Sequence, residues 1–290
     1  MAVDGTILVL GGTGKQGGAV ARELLHRGRT VHALVRDPHA AGARALAEAG
    51  AVLVRGDMDD EASLREAMRG ADGVFSVQPF RTPGGVEAEE RQGKAVGDLA
   101  AEAGVGHLVY SSVGGAERAS GIPHFESKWN IERHLRTLAV RVTVLRPTMF
   151  CDVFHEMGPR LTDGGLVLGM WLRPEVPVQT IATRDIGVFA ADAFDDPEGW
   201  GGREVEIAGD ELTGPQMAEA FARVSGIPTR YAHLPIEKLR AVREDLATMF
   251  DWFDHGGYRA DVPELRRLRP DLMDLETWLR ANWTAPVPQP

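Results

Sequence analysis

The sequence predicts an α/β protein built on a doubly wound parallel sheet, and three observations carry that reading. Short, almost wholly apolar runs alternate with amphipathic stretches through the first half of the chain, the pattern of strands covered on both faces by crossover helices. Several amphipathic stretches stop at a glycine, Gly28, Gly50, Gly70 and Gly104, as helices do at their C-termini. The 290 residues, 43% hydrophobic and 26% charged, suit a folded chain with a sizeable core rather than a disordered or disulfide-stapled one.

Taken in order, the predicted strands are Thr6 to Leu10, Thr30 to Val35, Ala51 to Val54, Gly73 to Val77, His107 to Ser111 and Arg141 to Leu145. Between them the helical pattern covers Gly17 to His26, Ala40 to Ala49, Ser63 to Met68, Glu87 to Ala103 and Ser127 to Leu138. Six strands with intervening helices imply right-handed crossovers and a single parallel sheet. After Pro147 the rhythm breaks. Asp152 to Leu161, Thr183 to Phe194, Pro215 to Val224 and Glu237 to Phe253 read as helices, Leu166 to Leu168 and Glu204 to Ile207 as short strands, and Thr284 to Pro290 as a frayed tail. The expected division is a domain over residues 1–150 and a smaller, mostly helical C-terminal lobe over residues 151–290, lying over the carboxyl edge of the sheet.

Composition removes several function classes. With 32 basic against 42 acidic residues the net charge is −10, which argues against nucleic acid as a partner. No apolar run approaches the ~18 residues a membrane span needs, and no signal peptide is read at the N-terminus. Cys151 is the one cysteine, so a reducing, cytoplasmic setting is expected. His107, His134, His155, His233 and His255 lack metal-ligand spacing, and no metal is expected. Only Lys15, Lys94, Lys128 and Lys238 among the basic residues are lysines, so a lysine at a given place carries more meaning here than an arginine.

The strongest local signal is Gly11-Gly12-Thr13-Gly14-Lys15-Gln16-Gly17-Gly18, directly after the first strand and opening the first helix. Gly11, Gly14 and Gly17 stand where a Rossmann nucleotide-binding fold needs a tight turn, a close backbone approach to a pyrophosphate and close helix–strand packing. The phosphates then meet free N–H groups at the positive end of the helix. A merely flexible turn would not need three glycines in register. At the end of the second strand an acid would accept the 2′-OH of NAD, whereas an arginine pairs with the 2′-phosphate of NADP. Arg36 is the first polar residue there, so NADP(H) is expected in preference to NAD(H). Asp37 is the counter-argument, and a solvated Arg36 the plain alternative. Lys15 could add a second cation. Asp57, in Gly56-Asp57-Met58, is placed either to accept from an adenine amine or to cap the next helix. The expected cofactor contacts are Gly11, Thr13, Gly14, Lys15, Gln16, Gly17, Arg36, Asp57, Met58, Gln78, Lys128, Pro147 and Phe150.

With the segment Gly121 to Lys128 the chain resembles the short-chain dehydrogenase/reductases, and within them the atypical NmrA-like NAD(P)-binding proteins. The glycine loop, Gly56-Asp57-Met58-Asp59-Asp60, His124-Phe125-Glu126-Ser127-Lys128, Leu145-Arg146-Pro147-Thr148-Met149-Phe150 and the stretch from Met249 through Tyr258 to Leu265 and Trp278-Leu279 carry the likeness, which spans essentially the whole chain. It implies an NADP(H) site with an unusual or absent catalytic tetrad. In the parent superfamily a tyrosine protonates a carbonyl oxygen as hydride arrives, and a lysine four residues on holds the nicotinamide ribose and lowers the tyrosine pKa. Here Lys128 is present and His124 stands at the tyrosine position, on the same helical face. His124 is a general acid in reach of neutral pH, or else a space-filling residue in a site without an acid. Ser111 and Ser112 fall where a serine polarises substrate, or are simple turn hydroxyls, and Pro147 to Phe150 would pass their backbone near the carboxamide.

Three further readings concern packing. Cys151 is read as core. Met149, Met170, Phe154, Trp171 and Trp252 line an apolar substrate pocket or fill the core. Glu87-Ala88-Glu89-Glu90 is read as a solvated helix start. The whole points to an NADPH-dependent reductase of an apolar carbonyl, quinone or imine-like small molecule, a monomer or homodimer, with the C-terminal lobe covering the cofactor and substrate cleft. A non-catalytic NADP(H) sensor acting through protein partners is the alternative.

Overall fold

In the computed structural model, which describes residues 5–286, all six apolar runs of the first half form strands. They are β1 (Thr6–Val9), β2 (Thr30–Val35), β3 (Val52–Arg55), β4 (Gly73–Ser76), β5 (His107–Ser111) and β6 (Val142–Pro147). Every pairing from β3 through β2, β1, β4 and β5 to β6 is parallel. The strand Glu204–Ile207 adds a seventh position beside β6. The chain winds outward from β1 to β3, then returns to place β4 on the other side of β1. That reversal opens a crevice at the carboxyl ends of β1 and β4, where doubly wound sheets bind ligands.

The crossover helices are α1 (Lys15–His26), α2 (Ala41–Glu48), α3 (Glu61–Ala67), α4 (Gly85–Glu102) and α5 (Pro123–Leu135). α5 starts four residues ahead of the predicted Ser127, because proline is pre-organised for a first helical turn. The shift places His124 and Lys128 in one continuous helix. One sheet face is packed by Leu8, Leu10, Val74, Leu108, Tyr110 and Val144 against Val96, Leu99, Ile131 and Leu135 of α4 and α5.

A single boundary near residue 150 does not describe the chain. It forms two units: Met1–Glu117, Pro123–Arg146 and Thr183–Val205 in one, and Arg118–Ile122, Pro147–Ala182 and Glu206–Pro290 in the other. The helix Thr183–Asp195 is buried continuously from Asp185 to Phe194. It joins the first unit by packing on α1, where a Cβ on Gly187 would lie 2.7 Å from the Ala19 oxygen, and Arg27, at the end of α1, reaches Asp192 at 2.8 Å and Asp195 at 2.7 Å.

The second unit is less helical than expected. It holds two three-stranded sheets, one of Asp210–Thr213, Pro177–Ile181 and Met149–Phe150, the other of Thr229–His233, Gly165–Met170 and Arg160–Thr162. The predicted helix Asp152 to Leu161 breaks into a 3-10 turn, the single helical turn Phe154–Met157 and a strand. The predicted helix Glu237 to Phe253 divides into Ile236–Arg240 and Glu244–Asp254. Cys151, Phe154 and Met170 are buried in this unit's core, with Met149, Trp171 and Trp252 packed partly buried against it. Of the predicted tail, residues 287–290 lie outside the described residues. No described helix is long and apolar enough to cross a membrane.

Candidate functional site

The turn between β1 and α1 is built by its glycines. Gly11 takes φ +67°, a left-handed conformation that disfavours side chains, and its carbonyl accepts the Gly14 N–H at 2.9 Å. A Cβ on Gly17 would lie 2.5 Å from the Gly11 carbonyl carbon and 2.7 Å from the Leu10 oxygen, so only glycine lets α1 sit this close to the turn. Gly14 caps α1 without any side-chain hydrogen bond, and no acid lies in the first turn. The leading N–H groups therefore keep their donors and the positive end of the dipole for an anion. Thr13, Gly14 and Lys15 are exposed, Gln16 half-buried.

Arg36, just beyond β2, is exposed. The neighbouring Asp37 is engaged locally, its Oδ1 accepting the His39 N–H at 2.8 Å. Asp57 does not cap the next helix: Asp60 does, accepting from Ala62 and Ser63, while Asp57 Oδ1 holds the Asp59 N–H at 3.0 Å. Asp57 and Met58 are both half-buried. Gln78, just beyond β4, is buried. Its Nε2 donates to Ser76 Oγ at 2.8 Å and its Oε1 has no partner. Pro147 and Phe150 belong to the second unit.

The two serines ending β5 are not presented as free hydroxyls. Ser111, with no exposed surface, donates to Gln16 Oε1 at 2.6 Å, so it orients a residue of the glycine turn. Ser112 donates to buried Glu132 Oε1 at 2.5 Å. Glu132 in turn is held by Arg146 at 2.6 Å, and burial opposed by carboxylates at Glu132, Glu117 and Glu204 leaves the Arg146 guanidinium above its usual range. The Ser112 hydroxyl thus belongs to a charged network at the foot of α5.

His124, one turn before Lys128, lies flat on the Phe80 ring with centroids 4.3 Å apart and an 11° interplanar angle. Phe125 meets it edge-on. The Lys128 ammonium is buried, 2.9 Å from Glu89 Oε1, and has no aligned hydrogen-bond acceptor. Beneath it Tyr110 is fully buried, and burial followed by the charges of Glu89 and Glu132 drives its phenol well above the usual range. Tyr110 has no exposed surface from which to meet a substrate. Glu89, read from sequence as part of a solvated helix start, has no exposed surface. Sequence reasoning also passed over Phe80, a single aromatic in a loop. Among the described residues, no group of three or more His, Cys, Asp or Glu could hold a metal ion.

The profile of the NmrA-like family matches residues 3–279. The chain belongs to the NmrA-like family. Among family relatives is a (4-alkanoyl-5-oxo-2,5-dihydrofuran-3-yl)methyl phosphate reductase of Streptomyces griseus, 30% identical over 236 residues, covering 81% of this chain and 79% of its own. An NAD(P)H azoreductase of Xenophilus azovorans is 29% identical over 238 residues, with 81% and 79% covered. A crystal structure of NmrA, a negative transcriptional regulator, in complex with NAD superposes with a TM-score of 0.83 at 21% identity, covering 97% of this chain and 95% of that one. Oxidoreductases thus stand among this family member's relatives at about 30% identity, and its fold is that of the NmrA structures.

Proposed function

We propose that this chain binds NADP(H) on the first unit and uses it to reduce an apolar carbonyl, quinone or imine-like small molecule. The observation that carries the reading is the Lys128 ammonium, buried on one helix with His124, 2.9 Å from Glu89 Oε1 and with further donors that no protein acceptor takes up. Two ribose hydroxyls suit such a point charge with three donors. The glycine cradle and the uncapped start of α1 suit a diphosphate, received by the amides of Lys15, Gln16 and Gly17 beside Gly11, Thr13 and Gly14. Arg36, with Lys15, takes the 2′-phosphate, and engagement of Asp37 by its own turn favours NADP(H) over NAD(H). Asp57, Met58 and Gln78 serve the adenosine side and the floor of the crevice.

When bound, NADPH supplies the hydride. The chain's part is to hold the nicotinamide ribose with Lys128 and to deliver a proton from the His124 imidazolium N–H to the substrate atom that gains charge. Ser111 acts one step back by fixing Gln16. The reductase and azoreductase relatives support this class of chemistry.

Engagement of both β5 serines, with histidine at the tyrosine position, favours a second reading in which the site only senses the NADPH to NADP+ ratio. Loss of NADPH absorbance with a panel of quinones, ketones and azo compounds separates the two. Turnover that collapses in His124→Ala fits the reductase. No turnover with any acceptor, together with unequal affinities for NADPH and NADP+, fits the sensor and overturns the reductase.

A further inference from the structure

We infer that Glu89 is the positioning residue for Lys128, so that a carboxylate on α4 sets where the ammonium on α5 meets the cofactor; the inference rests on the reading of Lys128 as the nicotinamide-ribose ligand. Glu89 has no exposed surface and the Lys128 side chain is 8% exposed. Both oxygens of the carboxylate face α5. Oε1 lies 2.9 Å from Lys128 Nζ, and Oε2 accepts the Ser127 hydroxyl at 2.5 Å. The carboxylate is thereby pinned by two consecutive residues of the helix it serves, and it cannot turn away without leaving a charge unmatched.

The helix packing explains how an acid comes to lie there. Glu89, Gly93 and Gly97 follow at four-residue intervals, so they share one face of α4. A Cβ on Gly93 would come within 2.5 Å of Ile131 Cδ1, and one on Gly97 closer still to Leu135 Cδ2, both on α5. The two glycines let α4 and α5 approach until Glu89, one turn nearer the crevice, reaches Ser127 and Lys128. The Tyr110 ring closes the floor, its centroid 5.7 Å from Nζ, adding the negative face of an aromatic to the cation's surroundings.

A buried ion pair adds little net stability, because desolvation offsets attraction. What it does add is a fixed position. A lysine chain has four rotatable bonds and would otherwise reach outward for water. With Glu89 on one side the ammonium stays in the crevice wall, its remaining donors directed at a ligand's hydroxyl groups.

Calorimetric titration of the wild type, Glu89→Gln and Lys128→Met with NADPH and with adenosine 2′,5′-bisphosphate tests this. The bisphosphate carries the adenosine half alone. Glu89→Gln is expected to weaken NADPH about tenfold, the scale of one charge-assisted hydrogen bond, to leave the bisphosphate unchanged, and to add nothing when combined with Lys128→Met. Glu89→Asp keeps the charge but withdraws the carboxylate by one methylene; with folding checked by its denaturation midpoint, it should weaken NADPH alone. Unchanged NADPH affinity in both Glu89 variants, or equal losses for both ligands, overturns the positioning role. A wild type that takes neither ligand overturns the cofactor reading as well.

Discussion

Alanine at position 17 would bring a methyl group against backbone on two sides, 2.5 Å from the Gly11 carbonyl carbon and 2.7 Å from the Leu10 oxygen. No side-chain rotation can relieve either contact. To restore ordinary packing distances α1 must retreat, or the turn open, by about 1 Å. Overpacking of this kind costs about 1–3 kcal/mol of stability. It also displaces the amides of the helix start, and hydrogen bonds to an anion weaken steeply once stretched by that much. Losing two charge-assisted bonds at about 1.5 kcal/mol each lowers NADPH affinity on the order of a hundredfold. Denaturant unfolding and calorimetric titration read the two effects separately. Gly28→Ala is the control: Gly28 also has a left-handed φ, +74°, but a Cβ there meets nothing within 4 Å. It should lose about 1 kcal/mol and bind NADPH as the wild type does. Wild-type stability and NADPH affinity in Gly17→Ala would refute the reasoning.

Two other expectations concern single side chains. Arg36→Ala should weaken NADPH by about tenfold or more, the range for a charge-assisted bond to phosphate, while leaving NADH unchanged; equal losses for the two nucleotides would refute the 2′-phosphate assignment. His107 is buried in β5 with Nε2 2.8 Å from Thr143 Oγ1, and burial, helped by the Arg141 charge, lowers its pKa to about 4. Between that value and an unfolded value near 6.5 the unfolded chain binds the extra proton, so stability falls as pH falls through this window. The full loss is about 3 kcal/mol. Denaturation midpoints from pH 7 to pH 4 should show that slope, and His107→Phe should flatten it; an unchanged slope in the variant would contradict the assignment.

The parts of this protein legible in its sequence are those written in local spacing. Three glycines between an apolar strand and a helix specify the β1–α1 turn, because the turn's geometry is set within a few residues. His124 and Lys128 are four apart and therefore neighbours on α5 whatever else packs there. Glu89 was illegible for the opposite reason. An acid in an acidic run reads as solvated, and its burial is decided by the approach of another helix 38 positions away in the chain. The signal lay in Gly93 and Gly97, which continue its helical face. Ser111 likewise satisfies Gln16 across 95 residues, beyond any local pattern. In the second unit, where Leu166 to Leu168 reads as a strand, several of the others are two to five residues long without regular alternation of buried and exposed positions, so little marks them off from loop. Return of Thr183–Val205 to the first unit rests on long-range packing of its helix against α1, joined by ion pairs from Arg27, and no periodicity announces either.

Hydrogen exchange at the start of α1 tests the central claim most directly, since Lys15, Gln16 and Gly17 are the amides assigned to the diphosphate. Adding NADPH should slow exchange in the peptide that spans residues 11–20, together with the segment around Lys128. Unaltered exchange at the glycine turn under saturating nucleotide would contradict the account.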